Sequence, residues 1–124
     1  MIKYNTYNLF LDDERFPYSE NPDVLTAYYY DKFYKFRTET WIVVRNYKEF
    51  TNIITMNGLP KLVSFDHDLQ EEMTGYDCAK WLVNFCMDNE LKLPEYHIHT
   101  KNPGGRENIF HILNSYNRYF DANN

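Results

Sequence analysis

The stretch Leu62-Val63-Ser64-Phe65-Asp66-His67-Asp68 decides the fold. Its apolar half reads as a buried strand, and its last residues carry two carboxylates and an imidazole to the strand's end. A second stretch repeats the device: Leu9-Phe10-Leu11 runs into Asp12-Asp13-Glu14. Acids collected at strand ends repel one another unless a cation or a phosphate-handling task compensates. In open α/β sheets, those carboxyl ends are where ligands bind.

Two further strand-like runs stand beside these. Residues 40–44 read Thr-Trp-Ile-Val-Val, and residues 96–100 carry His97 and His99 on either side of Ile98. The four strands are expected at 7–11, 40–44, 61–65 and 96–100. Helical spacing appears between them. In 47–56, Phe50, Ile53 and Ile54 share a face, and Gly58-Leu59-Pro60 stops the run. In 76–91, Cys78, Ala79, Trp81, Leu82, Phe85 and Cys86 recur at helical intervals, and Pro94 follows. In 107–120, Ile109, Ile112, Leu113, Tyr116 and Phe120 do the same. Strands alternating with helices predict a parallel sheet with right-handed crossovers.

The segment 17–39 breaks this rhythm. Phe16-Pro17 and Asn21-Pro22 are turn signals, and Tyr28-Tyr29-Tyr30, Phe33, Tyr34 and Phe36 then gather around Lys32, Lys35 and Arg37. We read an aromatic-rich insertion (about 18–39) before the second strand. It either packs over a sheet edge or a dimer contact, or supplies a wall on which bases stack.

At 124 residues, with 44% hydrophobic content, the chain is expected to form one domain with a core of its own. The formal charge of −5 argues against general DNA or RNA coating, which needs Lys and Arg. Cys78 and Cys86 lie on one helix pattern, roughly 12 Å apart along its axis, too far for a disulfide. Reduced thiols and the absence of a long apolar span point to a soluble cytoplasmic protein with no membrane contact. An oligomer is compatible with the sequence.

The chemistry-bearing residues cluster at the expected strand ends. Asp12, Asp13 and Asp66 offer oxygen ligands suited to Mg2+, Mn2+ or Ca2+, although an Asp-Asp pair also caps turns. His67 can accept and donate a proton near neutral pH, and Asp68 follows it; strand alternation alone would send His67 away from its two acidic neighbours. His99 ends the fourth strand, and His97, deeper on the same side, reads as structural. The run from His99 on, Thr100-Lys101-Asn102-Pro103-Gly104-Gly105-Arg106-Glu107-Asn108, suggests an anion cradle. Asn102 would cap a helix, Gly104 and Gly105 would let a phosphate approach the backbone, and Lys101 and Arg106 would add charge. An ordinary glycine-rich loop entering a helix is the plain alternative. Thr74-Gly75-Tyr76-Asp77 opens the preceding helix as a near capping box. Arg45 ends the second strand; it either grips a phosphate or pairs with Asp12 or Asp13.

Taken in order, L-F-L-D-D-E-R (9–15), W-I-V-V-R-N-Y (41–47), S-F-D-H-D-L (64–69), T-G-Y-D-C-A-K-W-L (74–82) and H-T-K-N-P-G-G-R-E-N-I (99–109) resemble the cyclic-phosphate-processing receiver domains of phages and bacteria. The resemblance implies a three-layer, flavodoxin-like receiver fold. Its sheet would be parallel and four-stranded, in the order 2-1-3-4, without the fifth receiver strand and its lysine. It also matches Asp12 and Asp13 to the paired receiver acids, Asp66 to the acid after the third strand and Thr100 to the receiver Ser or Thr. His67 and His99 match the histidines that the family adds.

The expected function is a metal-assisted phosphoesterase acting on a cyclic phosphate, either an RNA 2′,3′-cyclic end or a cyclic nucleotide. Asp12, Asp13 and Asp66 would hold Mg2+ or Mn2+, and His67 and His99, with Asp66, would carry the chemistry. Arg45, Asp68, Thr100, Lys101, Asn102, Gly105, Arg106 and Asn108 would contact phosphate or substrate. The alternatives are a module that captures a cyclic nucleotide without cleaving it, as a phage sponge or sensor would, and a degenerate receiver used for protein contacts.

Overall fold

The computed structural model describes residues 7–16 and 41–124. Four short strands form its sheet: β1 (Asn8–Leu11), β2 (Trp41–Val44), β3 (Leu62–Phe65) and β4 (Glu95–Ile98). All pairings are parallel and the order is β2-β1-β3-β4. Three helices follow the last three strands: α1 (Tyr47–Asn57), α2 (Gly75–Asp88) and α3 (Pro103–Asn123). The expected receiver-like α/β architecture is what the chain adopts. The aromatic segment 28–36 and the rest of the insertion lie outside the described residues.

The residues explain the helix limits. Asn46 caps α1 by accepting the Glu49 N–H, and Gly58, with φ 85°, ends it. Thr74 and Asp77 form a complete capping box at the start of α2. That helix stops at Asp88, short of the expected 91, and Glu90 follows in the left-handed region with φ 55°. Asn102 caps α3, and Pro103 sits in its first turn, where its missing N–H costs nothing. This helix starts four residues earlier than the 107–120 pattern suggests. Gly104 and Gly105 are therefore helical, not part of a loop.

The helices pack side by side, with α2 between α1 and α3. Leu9, Leu11, Val44, Val63 and Phe65 bury against Phe50, Ile54, Leu82, Cys86, Ile109 and Leu113. Each such side chain contributes about 1.5–3 kcal/mol of transfer free energy. Both cysteines are free and buried there, and burial pushes the Cys86 thiol up to about 12. On the opposite face, Phe10 and Leu62 pack with Trp41 and Val43. No described helix is long and apolar enough to cross a membrane.

Candidate functional site

Parallel register sets the site. Leu11 pairs with both Val44 and Phe65, and Phe65 pairs with Ile98. The next residue on each strand is then Asp12, Arg45, Asp66 or His99, one row beyond the ladder. Backbone bonds keep that row aligned: Asp12 N–H donates to Val44 O, Asp66 N–H to Leu11 O and His99 N–H to Phe65 O. Since Leu11, Phe65 and Ile98 face the helices, alternation turns Asp12, Asp66 and His99 to the other side of the rim. Their ligand atoms all lie within 4.8 Å of one another, and all three residues are buried.

Asp12 is fully enclosed and richly bonded. Its Oδ1 accepts the N–H groups of Glu14 (2.9 Å) and Arg15 (2.7 Å). Its Oδ2 accepts Arg15 Nε (2.8 Å) and His99 Nε2 (3.0 Å). Burial alone would raise this carboxyl. The bond from His99 and the N–H groups of Arg15 and Glu14 outweigh burial and bring it to about 2.

A carboxylate can only accept, so His99 Nε2 carries a proton. His99 Nδ1 then accepts the Ser64 hydroxyl at 2.7 Å. Burial holds the imidazole neutral, below its ordinary pKa, against the opposing pull of Asp12. Its ring stacks on Phe10 with centroids 4.4 Å apart and planes 5° from parallel. His99 is 3% exposed, and both of its nitrogens are engaged.

Asp66 is less saturated. Its Oδ1 accepts the His67 N–H at 2.8 Å and lies 3.6 Å from Arg15 Nη2. Burial, then the neighbouring Asp12 charge, push its carboxyl up to about 6, while Arg15 and the Thr100 hydroxyl pull the other way.

These shifts predict a pH signature. Between pH 4 and 6 the folded chain keeps an Asp66 proton that the unfolded chain has lost, so this group lowers stability as pH rises. Asp12 acts oppositely: its contribution is present above pH 4 and is lost as pH falls toward 2. His99 likewise contributes less as pH falls through 6.5. The comparison of wild type with Asp66→Asn isolates the Asp66 part. The variant should gain stability relative to wild type from pH 4 to 6, by on the order of 3 kcal/mol. Urea unfolding across that range measures it; a difference that stays flat with pH refutes the assignment.

The remaining expected site residues fall into distinct places. Asp13 is half-buried and outside the acid group, because the Asp12 turn carries it away. Arg45 grips neither expected partner side chain. Its Nη1 donates to the carbonyls of Asp12 (3.0 Å) and Arg15 (2.7 Å), and its guanidinium lies 4.5 Å over the Phe16 ring. Arg106 Nη1 donates to Ile98 O at 2.6 Å. These two arginines clamp the turns that leave β1 and β4.

Asp68 is exposed and accepts Asn102 Nδ2 at 3.3 and 3.4 Å, and Lys101 is exposed beside it in sequence. Thr100 is buried, and its Oγ1 accepts the Asn102 N–H. Gly105 N–H donates to Asn102 Oδ1, so two N–H groups of the expected cradle, those of Asn102 and Gly105, are engaged at the start of α3. His67 lies over Gly105, where an added Cβ would run into its ring, and its buried Nδ1 has no hydrogen-bond partner among the described residues. Asn108 lines a groove of about 610 Å³ with Tyr76, Phe110 and His111, on the helical side of the molecule.

Arg15 is the site residue that sequence reasoning missed. Its guanidinium bridges the two buried acids. The signal available was the spacing Asp12-x-x-Arg15, which places an arginine one turn beyond a strand-end acid.

Acids at the carboxyl rim of a parallel 2-1-3-4 sheet define a receiver-type α/β domain. The sequence model of the cyclic-phosphate processing receiver domain matches residues 7–115, and the chain belongs to that family. Its role is thereby linked to a cyclic phosphate. Among solved structures, the chain is similar to one described as a yeast Spc42 trimeric coiled-coil (amino acids 181–211) fused to another structure. That likeness has 17% identity and a TM-score of 0.52, covers 99% of this chain and 85% of the other, and concerns fold alone. Comparison with curated proteins finds no match.

Proposed function

We propose that the rim pocket opens a cyclic phosphodiester, on an RNA 2′,3′-cyclic end or a cyclic nucleotide, with help from a divalent cation. The observation that carries this reading is the burial of Asp12 and Asp66 together at the carboxyl ends of β1 and β3, with the half-buried Arg15 bridging them. The family's link to cyclic phosphate supplies the substrate class.

The donor set fits a hard cation. The Asp12 and Asp66 carboxylates would each offer an oxygen to the ion, and with water and phosphate oxygens that is how Mg2+ is commonly held. His99 is not a donor in this arrangement, since both ring nitrogens are taken. A bound divalent ion would neutralise the phosphate charge. The chain's own residues then divide the work. His67 takes the proton of the attacking water as the new P–O bond forms and gives it to the ribose oxygen released as the ring's P–O bond breaks, while Asp66 would stay ionised to hold the cation. Lys101 and Thr100 hold non-bridging oxygens. The acid/base role expected of His99 becomes a positioning role: it orients Asp12 and fixes its charge.

Purified protein supplied with 2′,3′-cyclic mononucleotides or cyclic dinucleotides, with Mg2+ or Mn2+, should give ring-opened product. Asp66→Asn should lower the rate at least about 10²-fold. Absence of turnover with every substrate, under ions that bind, refutes catalysis. One observation favours a second reading: His99 and Asp12 are saturated by internal bonds, which suits a rigid receptor. A module that captures a cyclic nucleotide would bind it tightly and return it intact.

A further inference from the structure

We propose that Arg15 is a tethered counter-ion that occupies the divalent-cation position between Asp12 and Asp66, and that its side chain must leave those acids before a cation binds. This rests on the cation-assisted reading above and deepens it.

The geometry is specific. Arg15 Nε is 2.8 Å from Asp12 Oδ2, and Nη2 is 3.6 Å from Asp66 Oδ1. Both contacts fall on the two carboxylates that would hold the ion. A divalent ion beside a guanidinium on shared ligands is repelled strongly at such distances. The acids are buried, while the Arg15 side chain is 32% exposed, so it stands on their solvent side.

The main chain around Arg15 is pinned. Its N–H donates to Asp12 Oδ1, and its carbonyl accepts Arg45 Nη1. Motion is therefore left to the side chain. When the guanidinium moves away, Asp12 keeps His99 and two backbone N–H donors and holds its orientation. The released planar fork suits phosphate oxygens. Arg15 thus exchanges one role for another: counter-ion to the acids when the cation is absent, anion ligand when it is present.

Calorimetric titration of Mn2+ into wild type and Arg15→Gln, without substrate, tests this. Arg15→Gln should bind Mn2+ about tenfold more tightly or better, and Mn2+ should raise its Tm more than that of wild type. Arg15→Lys, which keeps the charge but cannot bridge both acids, should fall between the two and covers the case in which Arg15→Gln folds poorly. Equal or weaker Mn2+ binding by both variants overturns the counter-ion role while leaving a cation site standing. Mn2+ binding by none of the three proteins overturns the counter-ion role and the cation-assisted reading together.

Discussion

Asp12→Ala is expected to remove about 3–5 kcal/mol of folding stability, the usual cost of breaking a buried charge pair by deleting one partner. Typical domains hold about 5–15 kcal/mol in total, so this single change brings the protein near its unfolding threshold. The cause is the number of donors stranded. His99 Nε2, Arg15 Nε and the N–H groups of Glu14 and Arg15 all converge on this one carboxylate. Each buried donor left without an acceptor costs about 1–3 kcal/mol. The turn from 12 to 15 loses its organising oxygen, and Arg15 loses its closer acid, keeping Asp66 at 3.6 Å.

Asp12→Asn separates charge from shape. The amide oxygen can still accept the two backbone N–H groups, but its NH2 then faces His99. His99 can answer by changing tautomer: Nε2 accepts from the amide, and Nδ1–H donates to Ser64, whose hydroxyl serves as donor or acceptor. The expected loss is smaller, about 1–2 kcal/mol. Nitrogen NMR of the His99 ring should show the proton moving from Nε2 to Nδ1. Chemical denaturation of the two variants beside wild type gives the energies. Equal losses for Ala and Asn would mean that the hydrogen-bond count is not what makes Asp12 stabilising.

Much of this site was readable from residue order. Apolar runs ending in acids identify β1 and β3, and alternating strand and helix patterns imply their parallel neighbours. From there, Asp12, Asp66 and His99 belong on one rim. Thr74 and Asn102 are recognisable as caps by residue type and spacing. What residue order does not show is competition for a side chain. Arg45 and Arg106 display charge in the sequence, yet carbonyl groups of strand-end turns claim them, and those turns exist only in the folded backbone. The enclosure of His99 depends on register: Phe10 and Ser64 pair across β1 and β3, and that pairing brings a ring and a hydroxyl against the imidazole. The start of α3 falls where residue type places it: Asn102 caps the helix, and Pro103, Gly104 and Gly105 form its first turn.

Those glycines, with Gly75, form a graded test of how tightly the site is built. Gly75 lies at the start of α2, and its N–H donates to His67 O at 2.8 Å. A Cβ there would run into the backbone carbonyl of Asp66 and the Cα of His67. Backbone cannot rotate aside as a side chain can, so Gly75→Ala should cost about 3 kcal/mol or more, at the upper end for overpacking. It should also displace Asp66 and abolish the pH-dependent difference described for that residue. Gly105→Ala meets the His67 ring instead, which can swing, and should cost about 1–3 kcal/mol while moving the imidazole. Among the described residues, Gly104→Ala meets only Asn102 Oδ1, at an ordinary 3.6 Å. There the lower helix cost of alanine prevails, and a gain of about 0.5–1 kcal/mol is expected. Thermal or urea unfolding of the three variants should give the order Gly104→Ala above wild type, then Gly105→Ala, then Gly75→Ala. A Gly75→Ala protein as stable as wild type would show that α2 does not press against the Asp66 loop, and the fixed placement of Asp66 beside Asp12 would lose its support.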